Sequence, residues 1–73
     1  MRIEFDQEAD ALYVQIHETY VAHVKEIEEG VIIDFDEDRK IIGMEILDVT
    51  RRFPLKDLTN LNIENFPLRA TAA

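Results

Sequence analysis

Glu29-Gly30-Val31-Ile32-Ile33-Asp34-Phe35-Asp36-Glu37-Asp38-Arg39-Lys40-Ile41-Ile42-Gly43-Met44-Glu45-Ile46-Leu47 decides how this chain folds. Val31, Ile33 and Phe35 alternate with Ile32, Asp34 and Asp36, the period of two that sends successive side chains to opposite faces of a strand. Beyond the polar stretch Asp36-Glu37-Asp38-Arg39, Ile42, Met44 and Ile46 share one face, and Ile41, Gly43, Glu45 and Leu47 share the other. Two alternating runs joined by a short polar turn predict an antiparallel hairpin. Gly43, inside the second run, predicts a bulge or the close approach of an aromatic ring.

Upstream, Glu29-Gly30 is a turn signal, because glycine supplies positive φ at no steric cost. It is preceded by Val21 to Glu28, with Ala22 and Val24 on one face and an irregular phase from His23 to Ile27, as at a bulge or a sheet edge. In Ala11 to His17, Leu12, Val14 and Ile16 alternate with Tyr13, Gln15 and His17. Ala9, Leu12, Tyr13 and Ile16 also fit a helical spacing, and the β-branched and aromatic content decides for a strand. Ile3 and Phe5 alternate with Arg2, Glu4 and Asp6, and Gln7 to Asp10 make the turn that follows.

The pattern changes after Asp48. Pro54 fits the first turn of a helix whose stripe is Leu55, Leu58 and Leu61, two turns at most and too short to stand alone. Leu61 to Phe66 form a final extended segment stopped by Pro67, and Leu68 to Ala73 are a frayed end. The expected fold class is α+β, mostly β: an antiparallel β-meander of about five strands with a short C-terminal helix and an extended tail. One domain covers residues 1–73, with a core at about 2–52 and the helix and tail at about 53–73.

A net charge of −8 argues against nucleic acid and against anionic membrane surfaces, which both need clustered Lys and Arg. No apolar run is long enough to span a bilayer, and the N-terminus has no signal-like apolar region, so a cytoplasmic location is expected. Disorder is excluded by an apolar content of 47%. For 8.5 kDa, area scaling gives a transfer term of about 110 kcal/mol on folding, and ordering the chain costs nearly as much. With no cysteine, neither disulfides nor a thiolate metal site can close that gap. Association with a second chain is the cheapest remaining source of burial, and a homodimer or higher homo-oligomer is expected.

Asp6-Gln7-Glu8-Ala9-Asp10-Ala11-Leu12-Tyr13-Val14 resembles the opening of the DUF2283 family of small prokaryotic proteins. A second stretch, Glu29 to Asp38 followed by Ile42-Gly43-Met44-Glu45-Ile46-Leu47-Asp48, resembles the same family, so the likeness covers roughly residues 2 to 52. The tail from Phe53 is the less uniform part of such proteins. Relatives often carry glycine where this chain has Arg39, a departure that predicts a turn built differently. The resemblance implies a compact β-rich domain of unknown function with no site residues to carry over. Some members neighbour small basic RelE-like proteins, which implies an antitoxin-like role.

Candidate chemistry is sparse. Asp34-x-Asp36-x-Asp38 with Glu45 in the twelfth position matches a calcium loop except at the sixth, where Arg39 replaces the required glycine. The flanking runs read as strands rather than helices, so a solvated acidic hairpin is expected. Asp6, Glu8 and Asp10 form a second acidic cluster whose alternate carboxylates suit Mg²⁺ or Ca²⁺, and turn chemistry is the simpler account, with Asp10 as a cap. These six acids are the metal candidates, and the expectation is that none serves as a ligand and that no cofactor is held. His17 and His23 flank Glu18-Thr19-Tyr20 and could face each other across a hairpin, with Glu18 or Glu26 nearby for zinc; two histidines without a clear third ligand read as solvent-facing positions. The chain has no serine or cysteine nucleophile and no glycine-rich phosphate loop. Arg51-Arg52 reads as a solvated pair or as a grip on the acidic groups of a partner. Phe5, Tyr13, Phe35, Phe53 and Phe66 read as core plus interface.

The function expected from these observations is a non-enzymatic interaction module, antitoxin-like, that binds a basic protein partner. The alternatives are a metal-dependent or small-molecule enzyme using the acidic turns, and a purely structural homo-oligomer.

Overall fold

The two alternating runs do form a hairpin, and three more strands join it. A computed structural model of the chain describes residues 1–65. Its strands are β1 (Arg2–Asp6), β2 (Ala11–Gln15), β3 (His23–Glu28), β4 (Val31–Phe35) and β5 (Ile41–Leu47), followed by α1 (Val49–Arg52) and α2 (Leu55–Leu58). All pairings are antiparallel, in the order β1-β2-β5-β4-β3. The mostly β, α+β class is as expected.

The neighbour order corrects the sequential meander. β2 lies beside β5 and not beside β3, so β3, β4 and β5 form a meander and β2 closes it as a Greek key. Charge explains the placement. β1 and β3 each carry three Lys, Arg, Asp or Glu residues and take the edges. β2 carries none, and β4 and β5 one each, and these three are interior. The connection at residues 16–22 crosses three strand spacings, roughly 14 Å, well within the reach of seven residues. Ile16 and His17 N–H both donate to Ile42 O (2.8 and 3.2 Å), and Ala22 N–H donates to Phe35 O (2.9 Å) as the chain passes the β4–β5 turn.

Register sorts the side chains into two faces. Ile3, Val14, Met44, Ile33 and Lys25 form one cross-strand row, and Phe5, Leu12, Ile46 and Val31 the next. On the opposite face the matching rows are Glu4, Tyr13, Glu45, Ile32, Glu26 and Arg2, Gln15, Gly43, Asp34, Val24. α2 lies along the β1–β2 half of the apolar face: a groove of about 210 Å³ is lined by Phe5, Leu12, Leu55, Leu58 and Thr59, and an adjoining one of about 310 Å³ by Ile3, Val14 and Leu61 among others. Among the described residues the buried apolar side chains are only Ala11, Ile33, Ile42 and Val49.

The helical part differs from expectation by one element. α2 starts after Pro54, as expected, and Thr59 and Asn60 side chains donate to the Leu55 and Lys56 carbonyls at its end. α1 was not expected, because its cap is remote in sequence: Asp10 O accepts from Val49 N–H at 3.0 Å, and the Asp10 carboxylate accepts from the Thr50 hydroxyl at 2.7 Å. Residues 61–65 join no strand, and Phe66, Pro67 and the expected frayed end lie outside the described residues. No helix among the described residues is long and apolar enough to cross a membrane.

Candidate functional site

The first acidic turn is built by its own carboxylates. Asp6 Oδ1 accepts from the N–H groups of Glu8 and Ala9 (3.0 and 3.1 Å). Asp10, at φ 52, turns the chain into β2 and caps α1. The expected turn cap is thus a cap on a helix some 40 residues further along.

The second acidic turn repeats this design. Asp36 Oδ1 accepts from Asp38 N–H (2.8 Å) and Lys40 N–H (2.9 Å). Arg39 adopts φ 64, the left-handed conformation that glycine takes most cheaply, so the side chain changes there while the conformation remains glycine-like. The calcium-loop spacing does not become a loop. Asp34 belongs to β4, and Glu45 sits opposite Ile32, further up the hairpin from the Asp34–Gly43 pair. Among the described residues no three His, Asp or Glu side chains converge on a metal position.

His17 and His23 do not face each other across a hairpin, because β5 and β4 stand between the strands they border. His23 pairs with Phe35 on β4. Lys25 and Arg39 join this pair around a shallow groove of about 350 Å³ at the β3 end of the apolar face. Arg52 is not a free grip for a partner's acids. Its guanidinium donates to Leu47 O (2.9 Å) and Glu29 O and lies 3.5 Å from the Glu28 carboxylate, tying α1 to the β3–β4 turn. Gly30 there sits at φ 80, a conformation strained for any other side chain, and a Cβ would lie 2.5 Å from the same guanidinium and force it to shift.

What sequence reading missed is the polar face as a surface. Glu4, Glu45 and Glu26 lie in one row across the full width of the sheet, with Asp34 one row away and Asp6 at the other side. Arg2 is a cation on this face, 3.4 Å from Glu4 and 5.9 Å from the centre of the Tyr13 ring. The signal was available in the charge count of each strand, which separates edge from interior. Without the β2–β5 pairing that count does not place Glu45 between Glu4 and Glu26.

At the centre of this face the Tyr13 hydroxyl donates to Asp34 Oδ2 at 3.0 Å, directly over Gly43. A Cβ on Gly43 would lie 2.9 Å from the hydroxyl and 3.2 Å from the carboxylate, so glycine is what lets the ring lie across β5. Both expectations for Gly43 hold, since the ladder also shifts register beside it, between Asp34 and Phe35. Partial burial, and next the hydrogen bond and negative charge of Asp34, push the Tyr13 phenol above its ordinary value of 10. A phenol held protonated against a carboxylate is a fixed structural bond and a hydrogen-bonding surface; it is not poised for proton transfer near neutrality.

The family model described as a protein of unknown function, DUF2283, matches residues 2–49, well over half of the 73-residue chain. No curated protein and no solved structure matches the chain.

Proposed function

The chain belongs to the DUF2283 family, and within it we propose that this protein is a cytoplasmic, non-enzymatic interaction module whose acidic sheet face receives a basic protein partner. The observation that carries the reading is the segregation of charge by face. Glu4, Asp6, Glu26, Asp34 and Glu45 share one side of the sheet with Arg2, while Lys25, the His23–Arg39 groove and, beyond the β3 bulge, Glu28 opposite Val31 belong to the other. A field that is predominantly of one sign steers an oppositely charged partner and fixes its orientation more than it adds raw affinity. Tyr13, Ile32 and Val24 lie among the carboxylates and supply apolar contact, Val24 being 62% exposed. An antitoxin-like role, covering the basic surface of a small toxic protein, is one form of this activity. The Asp6, Asp10 and Asp36 carboxylates accept backbone hydrogen bonds, which accounts for their place in the turns without the metal-dependent alternative.

The test is capture of the tagged full chain from its native host at low salt, followed by chemical-shift mapping of the isolated pair. A small basic protein is expected whose binding weakens with salt and is lost in the triple variant Glu4→Lys, Glu26→Lys, Glu45→Lys. Shifts confined to other surfaces, or binding indifferent to the reversal, would overturn the reading.

A further inference from the structure

The two edges of the sheet are unequal. β3 is interrupted by a register shift between Glu26 and Glu28 and carries Lys25 on the apolar side of the sheet, features that discourage further strand pairing. β1 runs in unbroken register with β2 over all five residues, and it carries no proline or bulge. No strand among the described residues lies beside its outer row of backbone N–H and C=O groups. Ile3 and Phe5 are each 43% exposed at this edge, and Leu55 and Leu61 beside them are 65% and 72% exposed.

The sequence of this edge is complementary to itself. In an antiparallel pairing centred on Glu4, Arg2 stands opposite the partner's Asp6, and Ile3 opposite the partner's Phe5. Opposite charges then meet on the polar face and apolar side chains on the apolar face, twice each, as a two-fold axis requires. Only Glu4 meets its own copy, and each Glu4 carries Arg2 of its own strand at 3.4 Å. We infer that two copies of this chain associate by antiparallel pairing of their β1 strands about a two-fold axis at Glu4, joining two five-stranded sheets into one of ten. The same contact covers Ile3 and Phe5 and brings the exposed leucines of the two C-terminal segments toward each other, supplying burial that four buried side chains do not. The occupant is a second copy because the complementarity is between β1 and itself. The inference stands independently of the basic partner proposed above.

Sedimentation equilibrium of the full chain across micromolar concentrations tests it, together with amide exchange of β1. A dimer is expected, with β1 amides protected in a concentration-dependent way. Arg2→Asp places like charges together twice and is expected to loosen the dimer about tenfold or more, whereas Glu4→Gln removes the repulsion at the axis and tightens it several-fold. Asp6 also caps its turn, so Asp6→Arg is used only in a mixture: Arg2→Asp and Asp6→Arg chains, each weak alone, should form a mixed dimer in which both charge pairs are restored. A monomer at tens of micromolar, or a dimer unmoved by Arg2→Asp and Glu4→Gln, overturns the inference. A dimer that persists when Glu26→Lys and Glu45→Lys abolish capture of a basic protein separates the two proposals.

Discussion

The two faces of this sheet use the same strands for opposite purposes. On one, Ile3, Val14, Met44 and Ile33 line up across four strands, with Phe5, Leu12, Ile46 and Val31 beside them, and the short helix α2 lies over the β1–β2 half. On the other, Glu4, Glu45 and Glu26 occupy the equivalent row, held apart by Tyr13 and Ile32. The apolar face contributes stability through removal of carbon from water. The acidic face contributes little, since repelling charges in high dielectric cost a few tenths of a kcal/mol, and its arrangement is free to serve a partner. Tyr13 over Gly43 is a structural device on this face, and so is the next row, where Ala11, buried, stands between Asp6 and Leu47.

The largest effect should come from the apolar side. Ile33 is 6% exposed, and Ile33→Ala should cost about 2–5 kcal/mol, enough in so small a domain to abolish a cooperative urea transition. A retained transition with a loss below about 1 kcal/mol would mean that this face is not the core. Gly43→Ala should be the costliest small change on the acidic side. It drives the Tyr13 hydroxyl off Asp34 and should lower the unfolding free energy by about 1–3 kcal/mol, with a matching shift of the Tyr13 ring resonances.

Tyr13→Phe should cost about 1 kcal/mol near neutral pH, and its pH dependence sharpens the point. The phenol is raised in the folded state, so below about pH 10 both states keep the proton and the bond's stabilisation is complete. Above that the unfolded chain releases its proton first, and stability falls as pH rises through the folded value. The wild type should therefore lose stability between neutral pH and pH 11 faster than Tyr13→Phe, measured by denaturant midpoint. The smallest effect is expected for Glu26→Gln, within about 0.5 kcal/mol of wild type, while salt-dependent binding of a basic partner weakens. If Glu26→Gln instead destabilises strongly, the acidic face is a structural element and the contrast between the faces fails.

Much of this was legible in the chain. Alternation at Val31 to Phe35 and Ile41 to Leu47 located the central hairpin, Asp36 to Arg39 located its turn, Glu29-Gly30 located the turn from β3 into β4, and the irregular phase from His23 to Ile27 anticipated the bulge on β3. These signals are local, and each needs only a few neighbouring residues to express a period or a turn. Other features were hidden because they join distant parts of the chain. The α1 cap is Asp10, and the clamp on the β3–β4 turn is Arg52, neither adjacent in sequence to what it holds.

Sequence by itself determined that the fold class is mostly β, where the turns after β1, β3 and β4 fall, that carboxylates dominate those after β1 and β4, and that glycine is needed at positions 30 and 43. Period, turn chemistry and steric freedom act within a few residues. Tertiary structure alone decided that β5 lies between β2 and β4, that Glu4, Glu45 and Glu26 form one row, and that β1 is left as the unbroken edge. Strand order is a competition for the interior of the sheet, won by the strands that lose least on desolvation, and that comparison can be made only among all five at once.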